Sequence, residues 1–139
     1  MRQLIIIAVL VLTAPLLLSS SCKKTTRNAA TDCEGVICTM MFASVSTTVT
    51  NKEGTPVVLD EVYTIRKRTG EKIVLSQQQE GGRYTVLDDG YLKQFYKSTE
   101  TFVLVGMKGQ RKVVEEEFVI SADCCHVVKQ SGKEVIVVE

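Results

Sequence analysis

Apolar residues fall into two patterns along this chain. From Leu4 to Leu18 they form a run with no charged residue and a single proline, Pro15. From Thr39 onward they come in short stretches between polar, glycine-containing turns. The stretches are TMMFASVSTTVT, VYTIRKR, KIVL, RYTVL, TFVLVGM, RKVVEEEFVI, CHVVK and EVIVV; the turns are NKEG, RTGE, EGG, DDG, MKGQ and QSGK. β-Branched and aromatic residues suit a pleated, half-buried surface, and glycine supplies the positive φ that tight turns need. Met41, Ala43, Val45, Thr47 and Val49 share one face of the first stretch; Phe118, Ile120 and Ala122 share a face opposite Val119 and Ser121. This period of two predicts strands, where a helix would repeat at 3.6. The one helix candidate is Tyr91 to Ser98, where Tyr91/Phe95 and Leu92/Tyr96 are spaced by four; the same residues also suit a crossover loop carrying aromatic plugs. Many short strands with regular turns predict an all-β, Greek-key β-sandwich of about seven strands.

The first pattern sits behind Arg2 and ahead of Ser19, Ser20 and Ser21, as in a secretory signal peptide over residues 1–21. It is shorter than the roughly 20 apolar residues a transmembrane helix requires. Cys22 follows the serines, and the stretch resembles the lipobox of bacterial lipoproteins in a serine-rich form. The resemblance implies cleavage before Cys22, acylation of Cys22 by palmitate-type chains, and attachment to a membrane through that lipid. Several acyl chains hold far better than one. Lys23 stands where an aspartate would imply retention at the inner membrane, so the resemblance implies the outer membrane, with the protein facing the periplasm. Residues 22–32 are polar and aperiodic and read as a tether; residues 33–139 form the domain. Lys23, Lys24 and Arg27 keep that tether solvated and can also touch anionic head groups.

Within the domain, SVSTTVTNKEGTPVVLDEVYTI resembles the opening of carboxypeptidase-regulatory-like, or transthyretin-like, domains, with Val49, Asn51, Gly54 and Pro56 in the matching places. The family usually has a glycine-alanine step before the second strand, where this chain has Leu59 to Glu61. The resemblance implies an Ig-like or transthyretin-like sandwich acting as an accessory or binding module.

Composition narrows the function classes. Loss of Arg2 with the leader leaves 16 basic residues against 16 acidic ones, so the mature chain is formally neutral and lacks the basic character of a nucleic-acid binder. There is no tryptophan and few aromatic residues, so the core must be mostly aliphatic.

Beyond Cys22 there are four cysteines, Cys33, Cys38, Cys124 and Cys125. An even number in an exported domain predicts disulfides. Pairing Cys33 with Cys38 would force the neighbours Cys124 and Cys125 together. Their α-carbons lie about 3.8 Å apart across a trans peptide, short of the roughly 4.4–6.8 Å that relaxed disulfides span. The two crossed pairings are therefore favoured, and the sequence leaves both open. His126, the single histidine, is expected to pack or hydrogen-bond at a strand start. The alternative is a thiol-redox or metal-handling protein using Cys33, Cys38, Cys124, Cys125 and His126, though adjacent ligands crowd one metal and the spacings are not those of a C-x2-C knuckle. DDG reads as a turn, since it lacks the acidic ladder of a calcium loop; Arg66 to Arg68 and Glu115 to Glu117 read as solvated strand ends or cross-strand pairs, and Gln77 to Gln79 as loop. No catalytic motif, cofactor motif or metal set stands out. The expected role is non-catalytic: binding of an envelope protein, peptide or glycan, or a structural part, with no nucleic acid.

Overall fold

A computed structural model of the chain describes residues 33–76 and 80–139. The leader, Cys22, the tether and the Gln77 to Gln79 loop lie outside the described residues. The described part is an all-β sandwich of two sheets, with strands β1 (Ser44–Thr50), β2 (Glu61–Arg66), β3 (Glu71–Ile73), β4 (Arg83–Asp88), β5 (Thr99–Lys108), β6 (Arg111–Ala122), β7 (Val127–Ser131) and β8 (Val135–Val137). One sheet has the order β4-β1-β8 and the other β3-β2-β5-β6-β7. Eight strands form where the sequence suggests about seven, and two of them, β3 and β8, are only three residues long. The chain changes sheet at β1 to β2, β3 to β4, β4 to β5 and β7 to β8. Neighbours are antiparallel except β8, which runs parallel to β1.

Alternation produces the core. Val45, Thr47 and Val49 of β1, Tyr84 and Val86 of β4 and Ile136 of β8 are buried from one sheet. Val62 and Thr64 of β2, Phe102 and Leu104 of β5, and Val114, Phe118, Ile120 and Ala122 of β6 are buried from the other. The first strand begins at Ser44, three residues later than its alternation suggests, and Met41 is exposed instead of facing the core. The Tyr91 to Ser98 segment is not an α-helix. A 3-10 turn covers Asp89–Gln94, and the stretch carries the chain from β4 to β5 as the plugged crossover, with Leu92 and Phe95 buried.

Each inward polar group finds a partner. Thr64 Oγ1 donates to the Val86 carbonyl at 2.7 Å, which joins the two sheets. Arg66 is the third residue of the Val62–Thr64 face, so it is buried and not a solvated strand end. Its Nε and Nη2 donate to both oxygens of Glu100 at 2.7 and 2.8 Å, its Nη2 also reaches the Gln94 carbonyl, and Arg66 holds the Glu100 carboxyl below the usual range. A bidentate guanidinium–carboxylate pair is the form in which two such charges are best satisfied out of water. Glu116 also lies on the inward side of β6, half-buried, with Lys133 across from it at 2.8 Å. Glu115 pairs with Lys112 three residues earlier in the same strand, and Glu117 reaches across the sheet to Lys67 just after β2, both as ionic contacts on the surface.

Two turns illustrate how the ends are shaped. Asn51 Oδ1 accepts from the amides of Glu53 and Thr55, Gly54 turns at φ 80°, and Pro56 bridges back to Thr50. At Gly132, φ is 126° and a Cβ would sit 2.2 Å from the Phe118 ring, so both backbone and packing demand glycine.

The fully buried Tyr84 hydroxyl accepts from the Leu59 amide at 2.7 Å and donates to the Val57 carbonyl at 2.9 Å, pinning the loop into β2. Tyr84→Phe strands the Leu59 amide and is expected to cost about 1–3 kcal/mol. Denaturant unfolding under non-reducing conditions measures this, with near-zero loss the contrary result.

Candidate functional site

The four domain cysteines meet at one end of the sandwich, beyond the start of β1 and the end of β6. Cys33 bonds Cys124 and Cys38 bonds Cys125, with Cα–Cα separations of 5.5 and 5.3 Å. This is one of the two crossed pairings that the sequence leaves open. The local chain makes it feasible. Asp123 follows β6 and its Oδ1 accepts from the amides of Cys125 and His126 at 2.6 and 2.7 Å. The two amides hold the Asp123 carboxyl below its ordinary range. The resulting tight turn presents adjacent cysteines to two different points of the Cys33–Cys38 loop, where Gly35 turns at φ 81°.

His126 stands at the centre of this end. Its Nδ1 lies 2.8 Å from Asp89 Oδ2 and its Nε2 lies 3.2 Å from Thr39 Oγ1. An ionised carboxylate only accepts, so Nδ1 carries the proton toward Asp89, and in the neutral ring Nε2 accepts from the Thr39 hydroxyl. Asp89 is more than a partner for the ring. Its Oδ2 also accepts from the Ala43 amide at 2.7 Å, and its Oδ1 accepts from the Val127 amide at 2.8 Å. The Asp89 amide in turn donates to the Ala43 carbonyl. Burial pushes the Asp89 carboxyl up, but the Ala43 amide, the His126 ring and the Val127 amide outweigh it and hold it below the usual aspartate range.

The order hydroxyl, imidazole, carboxylate is that of a general-base relay. Here, however, three backbone or ring donors share the carboxylate, and the hydroxyl belongs to a loop bound by disulfides on the sheet end. The group links three segments: Thr39 ties the loop to His126, and Asp89 ties His126 to both sheets. His126 hydrogen-bonds at a strand start, as the sequence suggests. Thr39 and Asp89 are the residues that sequence reading misses. Asp89 lies 37 positions from His126, and nothing local to DDG marks it as more than a turn. All four domain cysteines are disulfide-bonded, and among the described residues no three His, Cys, Asp or Glu side chains gather around a common point for a metal ion.

One further feature belongs to this end. The loop after Cys33 presents Val36, Ile37, Met40, Met41 and Phe42 to solvent, with Ile37 at 96% and Met40 at 104% of full exposure. Monomeric proteins seldom expose large apolar side chains contiguously without a use for them.

Two predictions follow from the chemistry of this end. With either bridge intact, the other closes only a small ring. Cys33→Ser/Cys124→Ser or Cys38→Ser/Cys125→Ser should thus each cost about 2–3 kcal/mol, and removal of both bridges roughly 7 kcal/mol, in the chain-entropy view. Denaturant unfolding of the three variants checks the non-additivity. Asp89 has its pKa depressed by folding. Its contribution is complete above the unfolded value of about 3.9 and disappears as pH falls through the lower folded value. Asp89→Asn should lose about 1–3 kcal/mol at neutral pH and show a flatter acid limb than the parent. Parallel limbs in unfolding measurements from pH 7 to 2 would contradict this assignment.

No family model, no curated protein and no solved structure matches this chain, and the site is read from its own residues.

Proposed function

We propose that this is a lipid-anchored protein of the bacterial cell envelope, held through Cys22 at the outer membrane and facing the periplasm, with a non-catalytic binding or structural role. The observation that carries the export part of this reading is the pairing of all four domain cysteines downstream of the 1–21 leader and Cys22. Such bridges form and persist in oxidising compartments, where an acylated, exported chain resides. The domain is read as a transthyretin-like accessory module on the strength of the β1 segment and its Asn51–Pro56 turn. Its partner is an envelope protein, peptide or glycan.

Mass spectrometry of the protein purified from its native membrane tests this. The expected result is a chain beginning at Cys22 with acyl mass on that residue. The other four cysteines should resist alkylation until they are reduced. A chain retaining Met1 would overturn the anchor. A free thiol pair, or stoichiometric zinc or copper, would move the protein to the thiol-redox or metal-handling class through Cys33, Cys38, Cys124, Cys125 and His126.

A further inference from the structure

We infer that the apolar loop Val36–Phe42 is a bilayer-docking element that inserts its side chains into the surface of the membrane carrying the anchor. The inference rests on the lipid-anchored reading, and four observations carry it.

The first is the exposure itself. Ile37, Met40, Met41 and Phe42 are exposed at 96, 104, 76 and 70%, and Val36 at 49%. Glu34 is the only acidic residue between Cys33 and Phe42, and no basic residue lies there. The second is that the loop is held open. Cys33 and Cys38 are bonded to Cys124 and Cys125, and Thr39 to His126, so the side chains cannot fold back over the core.

The third is position. Cys33 is eleven residues after Cys22, and even fully extended that length of chain reaches at most about 40 Å. The loop is the first part of the domain after the tether, at the sandwich end where the chain enters. Lys23, Lys24 and Arg27 of the intervening segment match anionic head groups in sign. The fourth is the contrast with the opposite end. The Asn51–Gly54 turn, the Lys108–Arg111 hairpin and Lys52 paired with Glu139 make that end polar. Of the large exposed apolar residues at that end, Val58 has its carbonyl bonded by Lys108, and Val137 lies among Arg111, Lys112 and Glu139.

A bilayer fits these observations better than a folded partner. The loop is irregular, it exposes two methionines beside valine, isoleucine and phenylalanine, and its one hydroxyl, that of Thr39, is taken by His126. Anchoring also raises the effective concentration of lipid at the loop, so a few shallow side chains suffice for lasting contact. Insertion would set the domain upright on the membrane and direct the Asn51 and Gly109 turns away from it.

The absence of tryptophan makes a direct test possible. Ile37→Trp and Val58→Trp are each placed in the full mature chain, acylated at Cys22, and reconstituted in phosphatidylethanolamine/phosphatidylglycerol vesicles. Both sites are exposed, so neither probe disturbs the core. The expected result is a blue-shifted emission and several-fold stronger quenching by brominated acyl chains at Ile37→Trp than at Val58→Trp, independent of the protein-to-lipid ratio. Equal emission and quenching at the two positions overturns the inference while leaving the anchor intact. A shift that grows with protein density instead assigns the loop to a second copy of the chain and also overturns it. Intact mass of the same samples reports acylation at Cys22 separately, so failure of the anchor is recognised apart from failure of the loop. Should Cys22 prove unmodified, quenching of the non-acylated chain bound to the same vesicles decides the inference by the same comparison.

Discussion

The Asp89 carboxylate is the constraint on which this structure depends. One side chain accepts the Ala43 amide before β1, the Val127 amide that opens β7 and the His126 ring. β1 lies in the three-stranded sheet and β7 in the five-stranded one, so the carboxylate joins the two layers where no backbone ladder can. Removing it would leave several donors unpaired at once, which costs more than the loss of one hydrogen bond. Its position is fixed by the 3-10 turn that starts there and by its own amide donating back to Ala43. Everything else at this end is built on that clamp. The Asp123 turn places Cys124 and Cys125 next to it, and the disulfides then hold the entering chain down over it.

The core and the sandwich end divide the work of stability. Between the sheets, aliphatic and aromatic burial is joined by a few satisfied polar links, such as Thr64 to Val86 and the hydroxyl of Tyr84. Among the described residues no buried side-chain nitrogen or oxygen lacks a partner. In the Cys33–Phe42 loop no apolar side chain is buried, and covalent bonds hold it instead. The loop there can display its hydrophobic residues because its shape does not depend on hiding them.

What could be read in advance followed the range of the interactions. Strand positions from β4 to β6 were legible because burial on one face repeats every second residue over six or more positions. Phe118, Ile120 and Ala122 show this directly. The same alternation misled at Met41, because periodicity does not report where sheet pairing stops; the bonds from Cys38 and Asp89 decide that. Arg66 looked solvated within a basic run, yet it has the parity of Val62 and Thr64, and the partner that permits its burial is 34 residues away. Local geometry excluded the adjacent-cysteine bridge. The choice between the crossed pairings needed the direction of the Asp123 turn, which is a tertiary property. Thr39, His126 and Asp89 come from three separate segments, and no spacing links them.

The parallel pairing of β8 with β1 gives the domain a mechanical character. Pulling Cys33 and the C-terminal strand in opposite directions would load the hydrogen bonds joining Thr48–Thr50 to Val135–Val137 in shear, along the strands, where they must fail together. The bond from Cys33 to Cys124 adds a covalent shunt. Tension entering at Cys33 passes to Cys124 without crossing β1 to β6, so only the last two strands can pay out as slack. Under such a load the sandwich yields a short length of chain and then stops, with most of its core spared.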